Sequence, residues 1–164
     1  MPLHTKTIAS PVGALTLVAS GRGLTAVLWE KDRPGRVRLA PAQDTPDHPI
    51  LVETERQLGE YFVGRRTHFS VALDMAGTDF QHQVWAALRA IPFGETRSYG
   101  EIARRIGRPG AARAVGAANG RNPVSIITPC HRVVGMDGSL TGFAGGLRAK
   151  HFLLALERQA LAGG

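Results

Sequence analysis

Apolar positions in the first 30 residues alternate with polar ones and are interrupted twice. The alternation around Ile8 breaks at Ser10-Pro11-Val12-Gly13, resumes through Leu15, Leu17 and Ala19, breaks at Gly21-Arg22-Gly23, and returns through Leu24, Ala26 and Leu28. A period of two bounded by Gly/Pro turns predicts a three-stranded β-meander. Residues 31–49 carry Pro34, Pro41, Pro46 and Pro49 among polar neighbours, which predicts a long loop. A helix is expected near 50–62, with Leu51, Leu58 and Phe62 turned inward, and a strand near 68–73.

The period changes after Ala76-Gly77-Thr78. Thr78 with Gln81 fits a capping box, and Phe80, Val84, Leu88 and Ile91 recur at helical spacing until Pro92. A second capping box, Ser98 with Glu101, opens a helix whose apolar face is Tyr99, Ile102, Ala103 and Ile106, ended by Gly107. After Arg108-Pro109-Gly110, a third helix runs through "AARAVGAANG" (111–120) and halts at Asn122-Pro123. Two short helices joined by a Gly-bearing turn match a helix-turn-helix plan. A last helix near 149–158 is expected to bring Phe152, Leu153 and Leu156 to the core. The pattern reads as α+β: a small antiparallel sheet with one helix over 1–76, then a mostly helical unit over 77–164.

Charge sharpens this division. Of 20 basic residues 17 are Arg, and the 11 basic against 5 acidic residues of 79–164 contrast with 9 against 8 in 1–78. An Arg-rich basic half suits a polyanionic partner, although an Arg- and Ala-rich composition has the same effect on charge without one. No apolar run approaches the ~18 residues of a membrane span, and the opening MPLHTKTIAS lacks the apolar core of a secretory signal, so a cytoplasmic location is expected.

The chain holds a single cysteine, Cys130, in "PCHRVV" (129–134). It excludes an intramolecular disulfide and the thiolate-rich zinc spacings, and the six histidines form no i, i+4 pair; neither metal nor cofactor is expected. A lone intracellular cysteine is ordinarily a small buried hydrophobe. Cys130 instead sits in a stiff Pro-Cys-His run rather than in a periodic apolar strand. His131 offers a base and a carboxylate such as Glu157 an orienting group, which is the logic of an activated nucleophile.

The helix over 111–120 is nearly bare. Ala111, Ala112, Ala114, Gly116, Ala117, Ala118 and Gly120 allow close approach to another backbone, while Arg113 projects from the rod. Such a helix lacks the Asn, Gln or clustered Arg of major-groove readout, so it either binds DNA without sequence choice or packs within the protein. The glycine-rich "GSLTGFAGG" (138–146) matches neither a phosphate loop nor a dinucleotide fingerprint, and reads as a surface loop or as one folding over a flat ligand.

"NPVSIITPCHRVVG", preceded by "RSYGEIARRIGRPGAARAVGAANGRNP" and followed by "LTGFAGGLRAKHFLLALE", closely resembles the O6-alkylguanine-DNA alkyltransferases, the methylated-DNA–protein-cysteine methyltransferases. The resemblance is dense from about Thr78 to Glu157; the first 75 residues resemble the family's ribonuclease-H-like domain more loosely. It implies a single-turnover transfer of an alkyl group from O6 of guanine in duplex DNA to Cys130, after the nucleotide is flipped from the minor groove. It further implies that His131 takes the thiol proton through a water, Glu157 holds His131, and Asn122 braces the turn leading to an active-site strand. Arg113 would fill the vacated stack, Tyr99 would crowd the phosphate and donate to guanine N3, and Ala112, Ala114 and Gly116 would lie along the groove. Carbonyls of Cys130 and Val133 would accept the guanine amine, Ala144 N–H would donate to O6, and Phe143 and Gly145 would complete the far wall. Phe143 stands where the family often has tyrosine. The implied partner is double-stranded DNA carrying O6-alkylguanine, with O4-alkylthymine a second candidate lesion, bound by a monomer that can act cooperatively. A non-catalytic lesion binder and a cysteine hydrolase are the competing readings. Alkyltransferase-like binders replace the nucleophilic cysteine, and a hydrolase leaves the bare helix unexplained.

Overall fold

The computed structural model describes residues 2–163. The expected meander forms as β1 (Leu3–Ile8), β2 (Leu15–Ala19) and β3 (Leu24–Trp29), antiparallel in sequence, with Leu15 opposite Trp29 and Ile8 opposite Leu15. The 31–49 segment is not wholly loop. Ala42–Asp44 adds a short strand, β4, parallel to β1, giving the order β3-β2-β1-β4. Its three exposed residues gave no hydropathy signal, because an edge strand without a buried face has no period to read.

Helix α1 (Pro49–Phe62) starts on proline, whose missing N–H costs nothing at a first helical position, and His48 accepts the Ile50 N–H. Leu51, Leu58 and Tyr61 are fully buried against the sheet, each worth roughly 1.5–3 kcal/mol of apolar burial. Phe62 is only half-buried, so Tyr61 takes the inward place expected for it. The strand expected near 68–73 does not form. Leu24 N–H donates to Ala72 O and Asp74 N–H to Leu24 O, a single bridge at the edge of β3, while Gln57 holds Ser70.

Both capping boxes are present. Thr78 and Gln81 close the start of α2 (Asp79–Arg89), and Ser98 and Glu101 that of α3 (Tyr99–Arg105). Gly107, at φ +77°, turns the chain out of α3 toward α4 (Ala112–Gly120). These three helices pack around Val84, Trp85, Leu88, Ile102, Ala103 and Val115, and Trp85 Nε1 donates to Ala118 O across the group.

The last helix, α5 (Leu147–Gly163), is longer than expected, and its inward stripe is Ala149, Lys150, Leu153, Leu154 and Glu157. Phe152, expected in the core, is 36% exposed. It lies one step off that stripe, and a stripe that includes Lys and Glu is invisible to hydropathy alone.

The sheet reaches across to the C-terminal half through the edge of β3. Val27 N–H donates to Pro123 O and pairs with Val124, so the segment leaving α4 is sewn to the first half of the chain. Val124, Ile126 and Ile127, with Leu153, share the core of the sheet and α1.

Candidate active site and DNA-facing helix

The sequence from Asn122 to Val134 is buried throughout. Asn122 makes its path. Its Nδ2 donates to Thr128 O at 2.7 Å and its Oδ1 accepts the Val124 N–H at 3.0 Å, closing a tight loop that delivers Pro129 and Cys130. Inside that loop Ile126 has φ +74°, a conformation costing a β-branched residue about 1–3 kcal/mol, held because the surrounding bonds overdetermine it. Cys130 then opens a 3-10 turn, Cys130–Arg132, rather than a strand; only Val133–Val134 is extended, forming β6 beside β5 (Arg97–Ser98). The tight turn follows from the Cys130 and Arg132 N–H groups bonding locally to Thr128 O and Pro129 O.

Cys130 is 3% exposed and sits in the core shared by α2, α3 and α4. Burial pushes its thiol pKa up, against hydrogen bonds from Asn122 and Ser125 and the positive charges of Arg36 and Lys150. His131 is fully buried, and burial pulls its pKa down despite Glu157. Thiol and imidazole are therefore both neutral at rest. His131 Nε2 meets Glu157 Oε2 at 2.7 Å, which fixes the tautomer with hydrogen on Nε2 and leaves Nδ1 as the basic lone pair. Nδ1 has no protein partner among the described residues.

Glu157 is the hub of this arrangement. Besides His131 it accepts from Arg132 Nε and Nη2 at 2.9 and 3.0 Å, Tyr61 hydroxyl at 2.7 Å and Gly94 N–H at 3.1 Å. Burial alone would raise its pKa, but the hydrogen bonds from His131 and Arg132, together with the Arg132 charge, prevail and lower it to about 2. Gly94 fits its place because its φ is +84°, a conformation that side chains disfavour.

Tyr99 and Gly116 meet where α3 faces α4; a Cβ on Gly116 would rest 3.7 Å from the Tyr99 ring. The Tyr99 hydroxyl bonds Thr141 Oγ1, linking the helix pair to the glycine-rich loop. Phe143 stacks edge-on against Trp29 at 5.3 Å, and Gly145 is needed beneath it, since a Cβ would come within 2.6 Å of the Trp29 ring. Val133 O accepts from Lys150 Nζ at 2.6 Å, and the Ala144 N–H has no acceptor among the described residues. Tyr99, Gly116, Phe143 and Ala144 line one cleft of about 530 Å³ with Lys31, Arg33 and Arg36, a volume within the ordinary range for small-ligand sites.

Arg113 is exposed on α4 and, like Arg104, Arg105 and Arg108, forms no salt bridge among the described residues. Ala112 and Gly116 are half-buried and Ala114 exposed, while Asn119 turns inward with an unpartnered Oδ1. The N-terminus of α4 has no side-chain cap among the described residues.

Sequence reasoning missed four buried contributors. Arg36 is buried, holds Asp32 through two bonds, and donates to Gly120 O and Asn122 O at 3.2 and 2.8 Å, anchoring the exit of α4. Tyr61, Arg132 and Lys150 are the others. Lys150 had a readable signal: it stands three residues before Leu153 and seven before Glu157, on the inward stripe.

The fold and site together define a helix-turn-helix protein with a buried cysteine, an oriented histidine and a saturated carboxylate. Residues 79–159 match the family description "6-O-methylguanine DNA methyltransferase, DNA binding domain", and residues 3–75 match "6-O-methylguanine DNA methyltransferase, ribonuclease-like domain". The chain belongs to the 6-O-methylguanine DNA methyltransferase family. It is 52% identical over 158 residues to a methylated-DNA–protein-cysteine methyltransferase of Mycobacterium tuberculosis, covering 95% of this chain and 93% of that one. A homologue of the same description from Methanosarcina acetivorans is 49% identical over 149 residues, covering 90% and 94%. The crystal structure of Mycobacterium tuberculosis OGT in complex with DNA superposes with a TM-score of 0.89 at 50% identity, covering 96% of this chain and 94% of that chain.

Proposed function

We propose that this chain repairs DNA by moving an alkyl group from O6 of guanine in a duplex onto Cys130 Sγ, once per molecule. The observation that carries this reading is the placement of the chain's one cysteine, buried beside His131–Glu157 and delivered there by the Asn122 loop that leaves the bare helix α4.

In this reading the thiol proton passes through a water to His131 Nδ1, whose other nitrogen is already committed to Glu157. The thiolate attacks the alkyl carbon, an S–C bond forms, and the C–O6 bond breaks with its electron pair moving to guanine. The proton lost by the thiol ends on the purine, so the sum is thiol plus O6-alkylguanine giving thioether plus guanine. Nothing in the site removes the alkyl group again, which makes the protein stoichiometric.

The reacting carbon lies within the base stack, so the nucleotide must rotate out. Ala112, Ala114 and Gly116 let α4 enter the minor groove, Arg113 fills the vacated stack, and Tyr99 crowds the phosphate and donates to guanine N3. Val133, Phe143, Ala144 and Gly145 form the walls that receive the base, and Asn122 positions the nucleophile. Residues 1–76 act as the scaffold and 77–164 as the DNA-binding and transfer unit. The protein works as a monomer on double-stranded DNA and can assemble cooperatively there; O4-alkylthymine is a second lesion to test.

Titrating a fixed amount of protein with O6-methylguanine duplex tests the stoichiometry. Restored guanine is expected to plateau at one equivalent per protein molecule; continued turnover would overturn the reading.

A further inference from the structure

Tyr61 belongs to α1, in the first half of the chain, yet its hydroxyl enters the site of the second. The side chain is fully buried, and its hydroxyl donates to Glu157 Oε2 at 2.7 Å, the same oxygen that meets His131 Nε2 at 2.7 Å. The ring lies among Phe62, Phe69 and Phe93 at centroid distances of 5.5, 5.5 and 6.2 Å, and Phe93 in turn carries the Arg132 guanidinium at 5.7 Å. A phenylalanine would make all of those ring contacts. The hydroxyl therefore answers to something other than packing.

Compensating the Glu157 charge does not require it either. Arg132 grips both carboxylate oxygens through Nε and Nη2, and Gly94 N–H adds a bond to Oε1. What the hydroxyl does is share Oε2 with the histidine. A carboxylate oxygen whose charge is drawn toward one donor binds the next less strongly. Burial, reinforced by the Glu157 charge, pushes the Tyr61 pKa up, so the phenol stays a neutral donor. The other titratable or charged groups around His131 are Lys150, on α5 like Glu157, and Cys130 and Arg132 of its own turn. Helix α2, packed against that turn, sends Arg89 to Thr128 Oγ1 and Met75 Sδ instead.

We propose that Tyr61 is a positioning residue of the transfer reaction, through which the first half of the chain orients Glu157 and limits how strongly that carboxylate binds His131. Held this way, the imidazole stays neutral, with Nδ1 open to the thiol proton. Tyr61 neither gives nor takes a proton, so the balanced sum is unchanged. The first half of the chain is then part of the site as well as its support. The inference rests on Cys130 being the nucleophile and His131 its base.

The test compares wild type, Tyr61→Phe and protein with fluorotyrosine installed at position 61 alone. Two quantities are read: the pH profile of single-turnover transfer from O6-methylguanine duplex, and the NMR signal of the His131 Nε2 proton after isotopic labelling of histidine. Tyr61→Phe keeps the ring and loses the donor. The fluorinated ring has a more acidic hydroxyl and donates more strongly, and it carries the test should Tyr61→Phe not fold. For Tyr61→Phe the Nε2 proton is expected to move downfield and the acid limb of the rate profile to rise by about half a pH unit or more. A better-bound imidazolium holds its proton to higher pH and cannot then act as a base. The fluorinated protein is expected to shift both quantities the opposite way, and the duplex concentration at half-saturation to stay at the wild-type value in each. An Nε2 proton or an acid limb that does not move in the altered proteins, whether or not the rate is scaled down at every pH, would overturn the proposal and leave Tyr61 a packing residue. A wild type that gains no alkyl group, although the Nε2 proton moves as expected, would instead overturn the reading of Cys130.

Discussion

His131 Nε2 and Glu157 Oε2 lie 2.7 Å apart, and both side chains are fully excluded from solvent. That contact joins the 3-10 turn bearing Cys130 to α5, and through Tyr61 the same carboxylate ties in α1. Catalytic orientation and stability therefore depend on one side chain.

Replacing Glu157 by Gln separates charge from shape. Arg132 would lose its buried counter-ion, and breaking such a pair from one side costs about 3–5 kcal/mol. We expect a Tm many degrees lower and slower transfer at every pH. A variant that melts with wild type would show that Arg132 finds compensation elsewhere.

The pH dependence of stability follows from three shifted groups. Glu157 titrates in the fold at about 2 instead of 4.5, so its contribution, on the order of 3 kcal/mol, is present above 4.5 and lost as pH falls toward 2. His131, held below 6.5, adds to this acid lability, because below 6.5 the unfolded chain takes up its proton first. Cys130, raised above 9.0, acts at the other end: the unfolded thiol ionises first, so stability falls as pH rises past 9. Denaturant melts from pH 3 to 10 should show a plateau between these limits. Stability still rising as the pH drops below 6 would contradict the buried neutral imidazole.

Arg113→Ala isolates nucleotide flipping from chemistry. Arg113 has no salt-bridge partner among the described residues and is exposed on α4, so its loss should leave the fold within about 0.5 kcal/mol of wild type. Transfer from duplex should slow on the order of 100-fold, while reaction with free O6-methylguanine base changes little. Equal losses on both substrates would remove Arg113 from the flipping step.

Alkylated protein should be less stable than unreacted protein. Cys130 belongs to one buried cluster with Val84, Trp85 and Val133, and overpacking by a single carbon costs about 1–3 kcal/mol. Spent protein melting at or above the unreacted form would show that the site holds room for the product.

Much of this was legible in the sequence, for identifiable reasons. The capping boxes at Thr78 and Ser98 and the Asn122-Pro123 break rest on local backbone chemistry, and each lies where the residues place it. Cys130, His131, Tyr99 and Phe143 stand in motifs that name themselves. Arg36, Tyr61, Arg132 and Lys150 do not, because each acts on a partner far along the chain: Arg36 on Asn122, Tyr61 on Glu157, Arg132 on Ile91 O and Glu157, Lys150 on Val133. Buried charge satisfied by distant backbone leaves no period in the sequence. The 68–73 strand failed for a related reason: β propensity was present, but among the described residues its backbone found strand-like pairing only with Leu24.

The central claim is that Cys130 accepts the alkyl group, and intact-protein mass tests it most directly. After incubation with excess O6-methylguanine duplex, wild-type protein is expected to gain the mass of one methyl group and no more, and Cys130→Ala none while still binding the duplex. An unchanged wild-type mass, or equal gain by Cys130→Ala, would contradict the account and leave Cys130 a structural residue of a lesion-binding protein.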